Sequence, residues 1–131
     1  VDIKPAFAGI LDDFFPRYLK VLKPFRSSID EVRIEGHTSS EWNKDSSDEE
    51  AYFKNMRLSQ GRTRSVLSYL YSLVPKETPW IKRNIAAVGF SSSRLIMTEQ
   101  GIEDTEKSRR VSFRAITNAH IQIKRILEAQ E

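Results

Sequence analysis

One arginine set in an apolar row constrains this chain more than any other feature. On a 3.6-residue period, Leu58, Arg62, Val66, Tyr69, Leu70 and Leu73 fall on one face of a helix. A guanidinium stays protonated and is costly to bury alone, so Arg62 needs an anionic partner or a route to water. It also lies early in the helix, where the dipole disfavours a cation and favours an anion. Two explanations fit. Either Arg62 and the helix N-terminus hold a guest carboxylate, or Arg62 pairs with a neighbouring Asp or Glu of the same chain.

A chain of 131 residues makes one domain, here 1–131, with enough length for a single core. Zero cysteines exclude disulfides, thiolate zinc sites and a cysteine nucleophile. The net charge of +3 is mild and its cations are interleaved with acids, so nucleic-acid binding is not expected. The nearest thing to a basic patch is Arg109, Arg110 and Arg114 with Lys124 and Arg125, and a solvated face accounts for it. No apolar run is long enough to span a bilayer and no signal peptide is recognisable. Beginning at Val1 rather than Met is expected of a processed or excised chain, with any membrane anchor outside it.

Along the chain, Pro5 suits a first helical turn, and Phe7, Ile10, Leu11, Phe14, Tyr18, Leu19 and Leu22 recur at helical steps. Pro16 predicts a kink or break near Phe15. Val32 and Ile34 alternate with Arg33 and Glu35, a short strand expected to stop at Gly36. Ser39 to Glu50 is polar and loop-like. A helix follows, from near Asp48 or Asn55 to about Leu73, and Pro79 is placed to open a short turn. Ile85 to Phe90 is a buried-strand candidate, Val111, Phe113 and Ala115 mark a third strand, and Asn118 is placed to cap a last helix carrying Ile121, Ile123, Ile126 and Leu127. Strands alternating with helices imply an α/β layered architecture.

The pattern Asn55-x-x-Leu58-Ser59-x-x-Arg62-x-x-x-Val66-x-x-x-Leu70 resembles the signature helix of the OmpA-like peptidoglycan-binding domain family. Upstream, Ile34-Glu35-Gly36-His37-Thr38-Ser39 resembles the family's strand-plus-loop motif, usually Gly-His-Thr-Asp. Downstream, Gly89-Phe90 and Ser108-Arg109-Arg110-Val111 resemble its Gly-Tyr/Phe and Asn-Arg-Arg-Val elements. These elements keep the family's order and approximate spacing over nearly the whole chain. The long loop and the Gly-His-Thr-Ser variant look more like MotB-type, inner-membrane-anchored members than like outer-membrane porins.

The resemblance implies a two-layer α/β sandwich of βαβαβ order, with a mixed sheet and helices on one face. The family's first strand would be missing here or reduced to Val1-Asp2-Ile3. It also implies non-covalent binding of the peptidoglycan stem peptide by a periplasmic domain, membrane-associated only through segments outside this chain. The implied ligand group is the zwitterionic end of diaminopimelate. Arg62 would take its carboxylate, Asn55 would stand at the helix entrance, and Leu58 would wall the pocket. Thr38 would offer a hydroxyl and an amide, and Arg109 a second positive group. Arg110, on the other face of its strand, would form a structural salt bridge.

The main departure from the family is Ser39, where an aspartate usually pairs with the ligand ammonium. Glu41, Asp45, Asp48, Glu49 or Glu50 of the longer loop would be available to replace it. Trp42 would pack on a sugar or stem methylene, or anchor the loop. Ser108 stands for the usual asparagine. His37 has no partnered nucleophile and is expected to be a strand-end residue with a structural hydrogen bond; His120 is expected at the surface. No His-Glu-x-x-His, calcium loop or phosphate-binding glycine loop is present, and Gly89-Phe90-Ser91-Ser92-Ser93 lacks the last glycine of a nucleophile elbow. No enzyme, metal or cofactor is therefore expected. The rival expectation is a protein–protein or homodimerisation module with weakened or lost wall binding, in which a loop carboxylate closes over Arg62.

Overall fold

The computed structural model describes residues 2–118. Helix α1 spans Pro5–Leu22 and continues through a 3₁₀ segment, Lys23–Ser28, into strand β1, Ile29–His37. Helix α2, Asp48–Leu73, crosses to a short 3₁₀ turn and helix α3, Thr78–Asn84, which leads into β2, Ile85–Gly89. A loop and the single-turn helix α4, Thr105–Ser108, precede β3, Arg110–Thr117. The sheet order is β2-β1-β3, with β1 parallel to β2 and antiparallel to β3. From β1 onward this is the expected β-α-β-α-β order on a mixed sheet, an α+β two-layer sandwich.

Helices α1 and α2 pack on the same sheet face. Leu11, Phe15, Leu19 and Leu22 of α1 meet Val32 and Ile34 of β1 and Val66 and Leu70 of α2 in one core. Phe113 of β3 lies in an aromatic group with Phe14, Phe15 and Tyr18. Pro16 does not break α1. The hydrogen bond it forfeits would have ended on Asp12, and both residues are on the exposed side, where water can replace the lost donor.

Strand β1 likewise does not stop at Gly36. It runs to His37, with Gly36 paired to Gly89 on one side and Val111 on the other. The glycine serves close packing rather than a turn. A Cβ at Gly36 would stand 2.8 Å from Ser59 O and 2.8 Å from Thr63 Cγ2, and one at Gly89 would stand 2.6 Å from Gln60 N. Helix α2 thus lies with its backbone almost against the sheet.

That approach alters the buried face of α2. Its buried residues are Ala51, Asn55, Ser59, Gly61, Thr63, Val66 and Leu70. The first half of the row is small and polar, because little room remains there for larger side chains. Leu58 and Arg62, expected within the buried row, are instead half-buried at its edge. The N-terminus of α2 is capped by Ser47, whose hydroxyl accepts from Glu50 N at 3.1 Å. Asp48, Glu49 and Glu50 form its first turn, favourable at the positive end of the dipole. The helix therefore begins at Asp48, the earlier of the two expected starts, and takes in half of the acidic stretch.

Strand β2 is an edge strand, buried at Ile85 and otherwise half-buried or exposed, rather than a fully buried one. Asp2 and Ile3 form no strand. The C-terminal helix expected with Ile121, Ile123, Ile126 and Leu127 lies outside the described residues, as do His120, Lys124 and Arg125. Asn118 is described, and its side-chain amide donates to Ser27 O at 2.9 Å. No helix of the described residues is long and apolar enough to cross a membrane.

A Gly36→Ala change should cost about 1–3 kcal/mol, because the contacting Ser59 carbonyl belongs to helix backbone and cannot swing aside. Gly9→Ala, with nothing within 4 Å of the added methyl, should be neutral or stabilise α1 by up to about 1 kcal/mol. Urea denaturation of the two variants checks both signs.

Candidate functional site: an arginine-lined pocket beside the β1 loop

Arg62 reaches a pocket of about 440 Å³ between α2, the start of β3 and the segment leading into α1. Ser65 and Val66 of α2 flank Arg62, Arg109, Arg110 and Val111 form the β3 side, and Asp2, Ile3, Lys4 and Phe7 close the remaining wall. The floor is apolar and the rim is charged. Arg62 has no carboxylate partner among the described residues. Of the six residues expected at a binding site, Arg62 and Arg109 line this pocket.

Thr38, Ser39 and Asn55 are buried beside it, in the loop that leaves β1. Thr38 donates its amide to Ser91 O at 2.9 Å and its hydroxyl to Ser39 O at 2.8 Å. Both donors expected for a ligand are thus engaged within the fold. Asn55 Nδ2 donates to Ser39 O and Glu41 O, each at 3.1 Å. Its side chain holds the loop rather than opening to the pocket. Ser39 turns its hydroxyl inward, where Glu41 N approaches at 3.4 Å. Leu58, half-buried, is not among the lining residues.

The loop carries a carboxylate to the pocket rim. Glu41 Oε2 lies 3.3 Å from Arg109 Nη2, and both side chains are exposed. Glu103 accepts from Ser40 N at 3.2 Å and from the Ser40 hydroxyl, joining the β1 loop to the segment before α4. Trp42 stands next along the loop, 43% exposed, with Lys54 Nζ 5.9 Å from its ring centre. Arg110 makes no salt bridge among the described residues. It donates to Ser108 O at 3.1 Å and Arg94 O at 3.2 Å, so carbonyls replace the expected carboxylate.

Ser91, the serine of the stretch that falls short of a nucleophile elbow, joins three elements. It has φ of 54°, a strained value for a residue with a side chain. Its amide donates to Ser59 Oγ at 3.1 Å, its hydroxyl to Tyr52 O at 2.6 Å, and its carbonyl accepts from Thr38. The hydroxyl is fully buried and committed to a helix carbonyl, so it offers no nucleophile.

On the sheet face away from the helices, Glu35 is buried beneath Arg114 Nε at 3.4 Å and Arg94 Nη1 at 3.9 Å. His37 Nε2 lies 3.8 Å from Glu35 Oε1, too far for a hydrogen bond, and His37 Nδ1 has no partner. The imidazole is held by stacking on Phe90 instead, with ring centres 5.3 Å apart and planes within 5°. Arg94 covers the outer side of Phe90 at 4.0 Å. Burial lowers the His37 pKa below its ordinary 6.5; Arg110 and Arg94 push the same way, and Glu35 opposes them. Among the described residues no three His, Asp or Glu side chains stand together to hold a metal ion.

The fold and pocket define a small α+β domain with a cationic site at the edge of its central helix. No known family profile matches the chain. Over 129 residues it is 51% identical to the Zorya protein ZorB of Escherichia coli, an alignment that covers 97% of this chain and 55% of that protein. The chain therefore spans about half the length of the curated relative it matches.

The lowered His37 pKa fixes a sign. Below pH 6.5 an unfolded imidazole takes a proton that the folded one resists, so stability falls as pH drops through that window. Wild type should lose more thermal stability than His37→Phe between about pH 7.5 and about pH 5.5, since phenylalanine keeps the stacking and removes the titration. Equal losses in the two proteins would assign the pH dependence to other groups.

Proposed function

We propose that this domain binds peptidoglycan non-covalently through the diaminopimelate-containing stem peptide. It thereby tethers a larger envelope protein to the cell wall on the periplasmic side. One observation carries the proposal: the Arg62 guanidinium faces an open pocket and has no carboxylate partner among the described residues. A fixed fork of N–H donors on an apolar floor suits a carboxylate on a short aliphatic chain. Arg109 adds a second cation on the opposite wall. The fold supports the resemblance to OmpA-like domains in strand order, in the mixed sheet, and in the place of Arg62 on the long helix.

The rival interaction module requires Arg62 to be neutralised internally and its pocket shut. Glu41, the loop carboxylate nearest the pocket, pairs with Arg109 instead. Binding of this kind needs no covalent chemistry. Micromolar affinity, about 8 kcal/mol, is within reach of one bidentate ion pair, a few further hydrogen bonds and an apolar floor.

Co-sedimentation with diaminopimelate-type sacculi tests the proposal. Wild type should pellet, and Arg62→Ala should bind about 30–100-fold more weakly, the loss of about 2–3 kcal/mol from charge-assisted hydrogen bonds. Arg62→Lys, which keeps the charge without the fork, should fall between them. Equal pelleting of wild type and a folded Arg62→Ala would remove Arg62 from the site.

A further inference from the structure

We infer that Trp42 forms a second subsite beside the Arg62 pocket, one that takes the pyranose ring of the amino sugar to which the stem peptide is joined. The inference rests on the binding function proposed above and extends its ligand from the stem to the glycan.

Three observations carry it. The first is exposure. Trp42 is 43% exposed and stands outside the core cluster, on a loop whose other residues from Ser39 to Ser47 are polar or charged. An aromatic surface of that size is ordinarily packed away from water. The second is rigidity, because the backbone is pinned on both sides of Trp42. Asn55 Nδ2 donates to Glu41 O at 3.1 Å, and Asn43 Oδ1 accepts from Asp45 N at 3.0 Å and from the Ser46 hydroxyl at 2.9 Å. An indole held ready by its own loop binds at low ordering cost. The third is position. Lys54 Nζ lies 5.9 Å from the Trp42 ring centre. Lys54, Leu58 and Arg62 recur at four-residue steps along one edge of α2. Arg62 is therefore two turns, about 12 Å, from the place where the loop sets the indole against the helix.

That spacing selects the occupant. A stem tripeptide whose last residue is held at Arg62 spans about 10 Å when extended. Laid along the α2 edge past Leu58, it brings the sugar at its other end to Trp42. The peptide alone stops short of the indole, so its own contacts would leave Trp42 unused. One face of a pyranose ring is lined by C–H groups of small positive charge, and the face of an indole is negative. The two attract while burying apolar surface. The indole N–H and the Lys54 ammonium are donors at the edge of that surface, suited to sugar hydroxyl and acetamido oxygens. A side chain serving only to anchor the loop would be buried, and Asn43 and Asn55 already hold this one.

Calorimetric titration with two probes tests the subsite: the stem tripeptide ending in diaminopimelate, and the same tripeptide joined to N-acetylmuramic acid. Wild type should bind the sugar-bearing probe about tenfold more tightly, a gain within reach of one aromatic contact. Trp42→Ala should bind both probes alike, with its affinity for the bare tripeptide unchanged, and Trp42→Phe should keep part of the preference. The chain's other tryptophan is Trp80. In Trp80→Phe the emission therefore reports Trp42 alone, and it should shift to the blue with the sugar-bearing probe only. A preference that survives in Trp42→Ala would overturn the inference. So would an equal loss for both probes, which would make Trp42 a loop anchor. Equal binding of the two probes by wild type would also overturn it, while the binding function would stand provided Arg62→Ala weakens both. If wild type binds neither probe, that function and this inference fall together.

Discussion

The close seat of α2 on the sheet is the constraint on which the other features depend. Gly36 and Gly89, side by side on adjacent parallel strands, leave no side chains between the sheet and the helix backbone at Ser59 and Gln60. Ser59 fills the gap with a hydroxyl rather than a hydrocarbon, donating to Met56 O and accepting from Ser91 N. Its buried oxygen is thus satisfied on both sides, which makes a polar contact at this depth affordable. The same approach draws the turn after β2 and the loop after β1 to the helix, where Ser91 binds Thr38 and Tyr52 together. Without the glycine pair, neither the loop carrying Glu41 nor the rim carrying Arg62 would keep its place.

How far the sequence revealed this fold follows from what hydrophobic periodicity measures. It exposed α1, β3 and the second half of α2, because those elements bury Leu, Phe, Ile and Val against one another. It misplaced the buried face of the first half of α2, where Asn55, Ser59 and Thr63 are buried by hydrogen bonds and small size. Gly36 was expected to end a strand because a glycine near polar residues usually marks a turn. Its real reason, a helix passing 2.8 Å from where its Cβ would be, lies more than twenty residues away in sequence. Arg62 and Arg109, singled out one as a charge in an apolar row and the other through resemblance, both line the pocket. The inward turn of Ser39, the clamp made by Asn55 and the strain at Ser91 all depend on pairings between distant segments, which no local spacing encodes.

The two faces of the sheet divide the work of handling charge. On the helix side the core is apolar and dry around Val32 and Ile34. On the other side β1 points Glu35 and His37 outward, yet both are buried under their neighbours. Arg94 and Arg114 cover the carboxylate, while Phe90 covers the imidazole and is itself covered by Arg94. A lone carboxylate at this depth would be costly, and the two guanidiniums beside it offset much of that cost. The outcome is a β1 terminus held rigidly from behind, just where the chain enters the loop that borders the pocket.

Rigidity behind the site and exposure at its mouth act together on the proposed function. A wall-binding domain has to hold a repeating polymer without becoming trapped at one repeat. The Glu41–Arg109 pair lies at the surface, where an ion pair contributes little and carries no large desolvation penalty. The Asn55 clamp and the α2 seat fix the loop beside that pair. Affinity per site can then stay modest, because neighbouring stem peptides present the next binding partner at high local concentration. On the proposed function, the apolar floor and the arginine fork orient a bound carboxylate.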